Sequence, residues 1–117
     1  MNDSSVPRFL QGVFPFAGQG LDVPFLLDPV LTYRVPAGSS TQPVYFRGGN
    51  SSDEMIYVSL VRDGTPMRYF PIAAKGATHV SLRVVEDLLS DTVIEVFAAA
   101  PAEVSGSLVI DVGLVEI

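Results

Sequence analysis

The chain has 117 residues and 12.5 kDa, enough for one domain that buries about 65% of its unfolded surface without staples. A hydrophobic share of 48%, only 17% charged residues and a mean hydropathy of +0.38 exclude a disordered chain or a charge-rich coiled coil. Seven basic against thirteen acidic residues give a net charge of −6, the wrong sign for nucleic acid or an anionic membrane.

The cations are scattered singly at Arg8, Arg34, Arg47, Arg62, Arg68, Lys75 and Arg83, so no basic stripe forms. Without cysteine there are no disulfides, no thiolate catalysis and no Cys-ligated metal. The start, Met1-Asn2-Asp3-Ser4-Ser5, has neither the cationic stretch nor the apolar core of a signal peptide. A cytoplasmic protein is therefore expected, unless the chain is a virion component or a mature secreted form. No apolar run reaches the roughly 20 residues of a spanning helix, and no membrane partner is expected.

Residues 1–29 stand apart. Phe9, Leu10, Val13, Phe14, Phe16, Leu21, Val23, Phe25, Leu26 and Leu27 are apolar, but Pro7, Gly12, Pro15, Gly18, Gly20, Pro24 and Pro29 interrupt any regular period. The pattern predicts an extended apolar arm, which must lie on something apolar. From residue 30 to 117 the reading is a sandwich domain. Leu31–Val35 ends at Pro36-Ala37-Gly38-Ser39-Ser40, and Gln42–Arg47 at Gly48-Gly49-Asn50-Ser51-Ser52.

Glu54–Arg62 and Thr65–Ala73 flank Asp63-Gly64, a two-residue hairpin signal. Simple counting from that turn pairs Leu60 with Met67 and Val58 with Tyr69. It sets Ile56, Val58, Leu60, Met67 and Tyr69 on a core face, and Met55, Tyr57, Val61, Phe70 and Ile72 opposite. Thr78–Val84 alternates, with Val80, Leu82 and Val84 inward, and Val85–Leu89 has the spacing of one helical turn. Thr92–Ala99 and Ser105–Ile117 complete seven or eight strands. Valine and other β-branched residues dominate, and no long helical period survives. The expected fold is an all-β antiparallel sandwich or jelly-roll with core residues Ile56, Val58, Leu60, Val80, Leu82, Val84, Ile94, Val96, Leu108 and Ile110.

Chemistry is thinly represented. His79 is the only histidine and lies on the polar face of its strand, without the nucleophile–base context of a hydrolase. Asn50, Asp53 and Glu54 offer oxygen ligands, but adjacent carboxylates on an extended chain point apart, which favours a structural turn over a Ca²⁺ site. No catalytic residue, metal or cofactor is expected. Two-sided apolarity of the strands instead indicates a non-enzymatic, self-assembling subunit, its partner a second copy of itself or a larger complex. The expected interface is Phe9, Leu10, Phe14, Phe16, Leu21, Phe25, Tyr57 and Phe70, with the arm docked across a neighbour's sheet. The alternative is a small carbohydrate-binding module using Tyr45, Arg47, Asn50, Asp53 and Arg68, since aromatic faces beside polar groups suit a glycan.

Overall fold

The computed structural model describes residues 5–82 and 87–117. Among the described residues nine strands form: β1 (Val6–Ala17), β2 (Phe25–Leu26), β3 (Tyr33–Arg34), β4 (Thr41–Asn50), β5 (Ile56–Arg62), β6 (Thr65–Ile72), β7 (Ala77–Ser81), β8 (Val93–Ala99) and β9 (Ser105–Glu116). One sheet has the order β1-β9-β4-β7, the other β2-β8-β5-β6, with β3 also on β8. The pairings are antiparallel. Apart from the β5–β6 hairpin and the short β2–β3 step, each connection crosses from one sheet to the other. If β2 and β3 count as one interrupted strand, this is the eight-strand arrangement of a jelly-roll.

The N-terminal segment is extended, as its composition requires, but its docking site is its own chain. All twelve residues of β1 pair with β9, from Val6 opposite Glu116 to Ala17 opposite Ser105. The expected boundary between an arm at 1–29 and a domain from 30 is thereby corrected: β1 is part of the sandwich. Its even positions Leu10, Phe14 and Phe16 lie in the core, opposite the expectation that they face a neighbour. Residues 18–24 then lead across to the second sheet, where Gly18 and Gly20 donate backbone bonds to Val104 and Ala100.

The remaining boundaries follow the turn residues. Leu31–Val35 is shortened to β3 because Pro29–Leu31 forms a 3₁₀ turn capped by Asp28, whose carboxylate accepts from Val30 N at 2.9 Å. Val84 and the first half of the Val85–Leu89 turn lie outside the described residues. Leu88, at the turn's far end, is buried and bridges Thr41. Of the other expected core residues, Ile56, Val58, Leu60, Leu82, Ile94, Val96, Leu108 and Ile110 are buried, and Val80 packs partly buried against them.

The hairpin turn is at Asp63-Gly64, with φ of 48° and 83°, and Arg62 opposite Thr65. Two positive φ angles make the turn whose twist matches the strands it joins. Asp63 also fixes the tip to β8, its N–H donating to Val93 O and its carboxylate accepting from Val93 N, both at 2.9 Å. Two residues later the register shifts. Val61 faces Pro66, but Leu60 faces Arg68 and Val58 faces Phe70, so Met67 is bulged out. A one-residue slip exchanges the faces of a strand. Beyond the bulge the core side of β6 is therefore Phe70 and Ile72, and Tyr69 is 61% exposed, the reverse of the simple count, while Met67 packs partly buried against the core as that count has it. Phe70 stacks on Phe46 of the opposite sheet, with ring centroids 4.0 Å apart and planes 4° apart.

Two substitutions check this geometry. Gly64→Val should cost about 1 kcal/mol or more, because a β-branched side chain resists positive φ and no neighbour within 4 Å compensates. A thermal melt unchanged by it would contradict the turn. Phe70→Ala should cost about 3–5 kcal/mol and Tyr69→Ala under about 1 kcal/mol. The opposite ranking in urea unfolding would restore the unbulged register.

Candidate functional site

The outer face of the four-stranded sheet gathers residues that are far apart in sequence. Register sets three rows across the strands in the order β1, β9, β4, β7. The middle row is Gln11, Asp111, Arg47 and His79; one flank is Val13, Val109, Gly49 and Ala77; the other is Phe9, Gly113, Tyr45 and Ser81. Side chains on one face of a pleated sheet recur every second residue, so each strand contributes one member per row.

The middle row is a hydrogen-bonded stripe. Asp111 Oδ1 accepts from Gln11 Nε2 and from the Tyr45 hydroxyl, both at 2.9 Å. The Arg47 guanidinium lies 5.0 Å above the Tyr45 ring centroid, and His79 meets that ring edge-on at 6.2 Å. The ring also lies against Gly113, where a β-carbon would overlap it. Burial, and next the bond to Asp111, raise the Tyr45 phenol above its ordinary value, so it remains a donor. Arg47, Gly48, Gly49, Ala77, Thr78, His79, Val109 and Asp111 enclose a shallow, open depression of about 530 Å³.

This arrangement limits the chemistry. His79 and Asp111 are separated by Arg47, and two strand spacings put their backbones about 10 Å apart. A base and its orienting carboxylate share a hydrogen bond; here Asp111 accepts from Gln11 and Tyr45 instead, and His79 meets the Tyr45 ring. The flanking row is apolar and exposed: Val13 is 66% and Val109 50% exposed as direct neighbours, and Phe9 on the other flank is 55% exposed.

The expected glycan residues are dispersed. Tyr45 and Arg47 stay together, with the guanidinium over a ring that also packs against Gly113 and meets His79 edge-on. Asn50 is buried and its side chain holds the 50–54 loop, its amide donating to Glu54 O and Ala73 O while its oxygen accepts from Ser52 N and Oγ. Asp53 is exposed beside Lys75 at 3.5 Å. Arg68 belongs to β6 in the other sheet, its guanidinium donating to Met67 O. Among the described residues no three His, Asp or Glu side chains converge as metal ligands do.

The expected interface residues divide three ways. Phe9 and Leu21 are exposed; Phe25 and Tyr57 are half-buried; Leu10, Phe14, Phe16 and Phe70 are core. Tyr57 belongs to the second sheet's outer face, where it donates to Leu21 O at 3.0 Å and meets Tyr69 edge-on at 5.6 Å. With Pro24, Phe97 and Tyr69 it borders a recess of about 200 Å³. Sequence reasoning missed Val13, Val109, Gln11 and Asp111 as surface partners; the signal was their odd-numbered places on two long strands.

A second polar cluster closes one end of the sheet. Glu116 is buried, its Oε2 accepting from the Tyr33 hydroxyl at 2.6 Å and from Arg8 Nε at 3.1 Å. Because the Tyr33 proton goes to Glu116, the Thr41 hydroxyl at 2.8 Å donates to Tyr33. The Tyr33 and then the Arg8 hydrogen bonds hold the Glu116 carboxyl below the usual glutamate range. Burial, followed by the bond to Glu116, pushes the Tyr33 phenol up to about 12. These atoms are mutually satisfied, so the cluster is a structural clasp between β1, β3, β4 and β9.

No protein-family model matches the sequence, and no curated protein matches it. Solved structures match in shape. A chain in the structure of infectious bursal disease virus Gt strain aligns with TM-score 0.52 and 13% identity over 98% of this chain; this chain spans 32% of that one. A chain of Bacillus endospore appendages, described as disulfide-linked pili, aligns with TM-score 0.49 and 9% identity over 99% of this chain and 91% of that one. At such identity the virus chain establishes the likeness of fold alone, a two-sheet β-sandwich.

The clasp makes stability depend on acid. A carboxyl whose folded pKa is depressed stabilises the fold above its unfolded pKa, and the contribution is lost as pH falls through the folded value. Tyr33→Phe should cost about 1–2 kcal/mol at pH 7 and reduce the further loss between pH 7 and pH 3. Urea unfolding at both pH values measures it; an acid loss as large as the parent's would contradict the assignment.

Proposed function

We propose that this chain is a non-enzymatic structural subunit that assembles with copies of itself, using the outer face of its four-stranded sheet. The carrying observation is the exposure of Phe9, Val13 and Val109 on one face, 55%, 66% and 50% respectively. An apolar side chain left in water forgoes roughly 1.5–3 kcal/mol of burial, and contiguous apolar patches mark contact surfaces. Gly49 and Ala77 continue the Val13–Val109 row with little side-chain bulk and line the shallow depression, leaving room for side chains of another copy. The polar stripe beside it supplies the hydrogen-bonding groups usual at the rim of such contacts. The fold shared with a chain of a virus structure is in keeping with an assembling subunit.

Sedimentation velocity from nanomolar to high micromolar concentration tests the reading, with species above the 12.5 kDa protomer expected as concentration rises. Val13→Asp with Val109→Asp should weaken association at least tenfold while leaving the melting temperature within a few degrees. A chain that stays monomeric at high micromolar concentration overturns the proposal.

A further inference from the structure

The free edge of β1 carries a second surface, and the direction of its backbone groups can be worked out. Ser107 of β9 faces β4: its carbonyl accepts from Ser51 N at 3.1 Å and its N–H donates to Ser51 Oγ at 2.8 Å. Ile117 likewise exchanges both backbone bonds with Ser40. Odd residues of β9 thus point to β4 and even ones to β1. Since odd pairs with odd along the β1–β9 register, the even residues of β1 bond to β9 and the odd residues present N–H and C=O to the free edge. Gly18, the next even position, agrees: its N–H reaches Val104 O at 2.7 Å.

Pro7 and Pro15 are both odd, so each lacks a donor on the free edge while the ladder to β9 loses nothing. Between them the edge offers donors at Phe9, Gln11 and Val13. This window is symmetric about Gln11. We infer that a second copy of this chain docks there, β1 against β1 antiparallel, with the two-fold axis at Gln11, joining two four-stranded sheets into one.

In that register Gln11 faces Gln11 of the other copy, and Phe9 faces its Val13. Each of these pairs exchanges two backbone bonds, using the three donors of each chain. Pro7 then faces Pro15, neither of which can donate, so the pairing ends at both sides by the same means. The side chains fit as well as the backbone. Phe9 and Val13, exposed in the protomer, become cross-strand neighbours on the outer face. The only charge within β1, Arg8, faces Phe14, which keeps the two guanidiniums at opposite ends. The inference rests on the assembly reading and specifies its partner and register.

The absence of cysteine permits a register test by cross-linking in the full chain. Hydrogen-bonded antiparallel residues have Cα atoms about 5.5 Å apart, within disulfide range, whereas a residue and its own copy four positions out of register are about 14 Å apart. Under mild oxidation Gln11→Cys should give disulfide-linked dimer as the main product, and Phe9→Cys alone should give little. Phe9→Cys mixed with Val13→Cys should give the mixed dimer. Gln11→Pro should weaken dimerisation at least tenfold with an unchanged circular dichroism spectrum, since position 11 gives no backbone bond to β9 and loses there only the exposed side-chain bond to Asp111. If Gln11→Cys links no faster than Phe9→Cys, the edge interface is overturned even when sedimentation shows an oligomer, and the assembly reading stands without it. A monomer at high micromolar concentration overturns both.

Discussion

The stacking of Phe46 on Phe70 is the contact to which the two sheets are matched. Phe46 is fully buried on β4, and Gly48, two residues on, has no side chain because its place is taken by the Phe46 ring and Ile72 Cδ1. Phe70 reaches the ring only because β6 is bulged. Without the extra residue at Met67, Tyr69 would turn inward and bring a phenolic oxygen into a dry core that has no partner for it. A local irregularity in the hairpin therefore sets which aromatic residue joins the sheets. The short turn supplies the register up to Pro66, and packing supplies it beyond.

The hairpin and most of the core were legible because the information is local. Asp63-Gly64 specifies a turn by its tolerance of positive φ, and Thr78–Val84 announces the inward face of Val80 and Leu82 by alternation. The bulge was not legible: Met67 and Tyr69 on one side, Phe70 and Ile72 on the other, are both plausible core pairs by hydropathy. The sequence of β1 reads as an arm because two prolines and a glycine break its pattern. Each break has a tolerable place in the fold. Pro7 and Pro15 occupy positions whose donors are not used by β9, and the Phe14 ring lies over Gly12. The surface rows were the least legible, since Gln11 and Asp111 are 100 residues apart and meet only through register.

Charge is placed sparingly, with consequences for where the molecule is rigid. The buried carboxylate at Glu116 accepts from Tyr33 and Arg8, on two strands, and Thr41 on a third holds the Tyr33 hydroxyl, so its desolvation is met by hydrogen bonds. Arg8, Tyr33 and Thr41 thereby tie the start of the chain to its end. Asp111 is handled differently, at the surface, with Gln11 and Tyr45 as donors and Arg47 nearby. One carboxylate orders the closed end of the sandwich. The other orders a face that remains open.

The sheet edges show how the chain treats exposed backbone. β6 carries Pro66 and Pro71 on its outer edge, β2 and β3 are two residues each, and β7 is five residues. Short or proline-bearing edges resist further pairing. β1 is different in degree: it is the longest edge strand among the described residues, and its prolines bracket its centre instead of interrupting it. A single permissive edge has a geometric consequence. If a sheet could grow from two opposite edges, it would propagate into a fibre; if only one edge is open, pairing through it closes on a two-fold axis. Under the proposed pairing any larger assembly would draw on the broad outer faces, where Val13 and Val109 lie, a direction distinct from that of the edge.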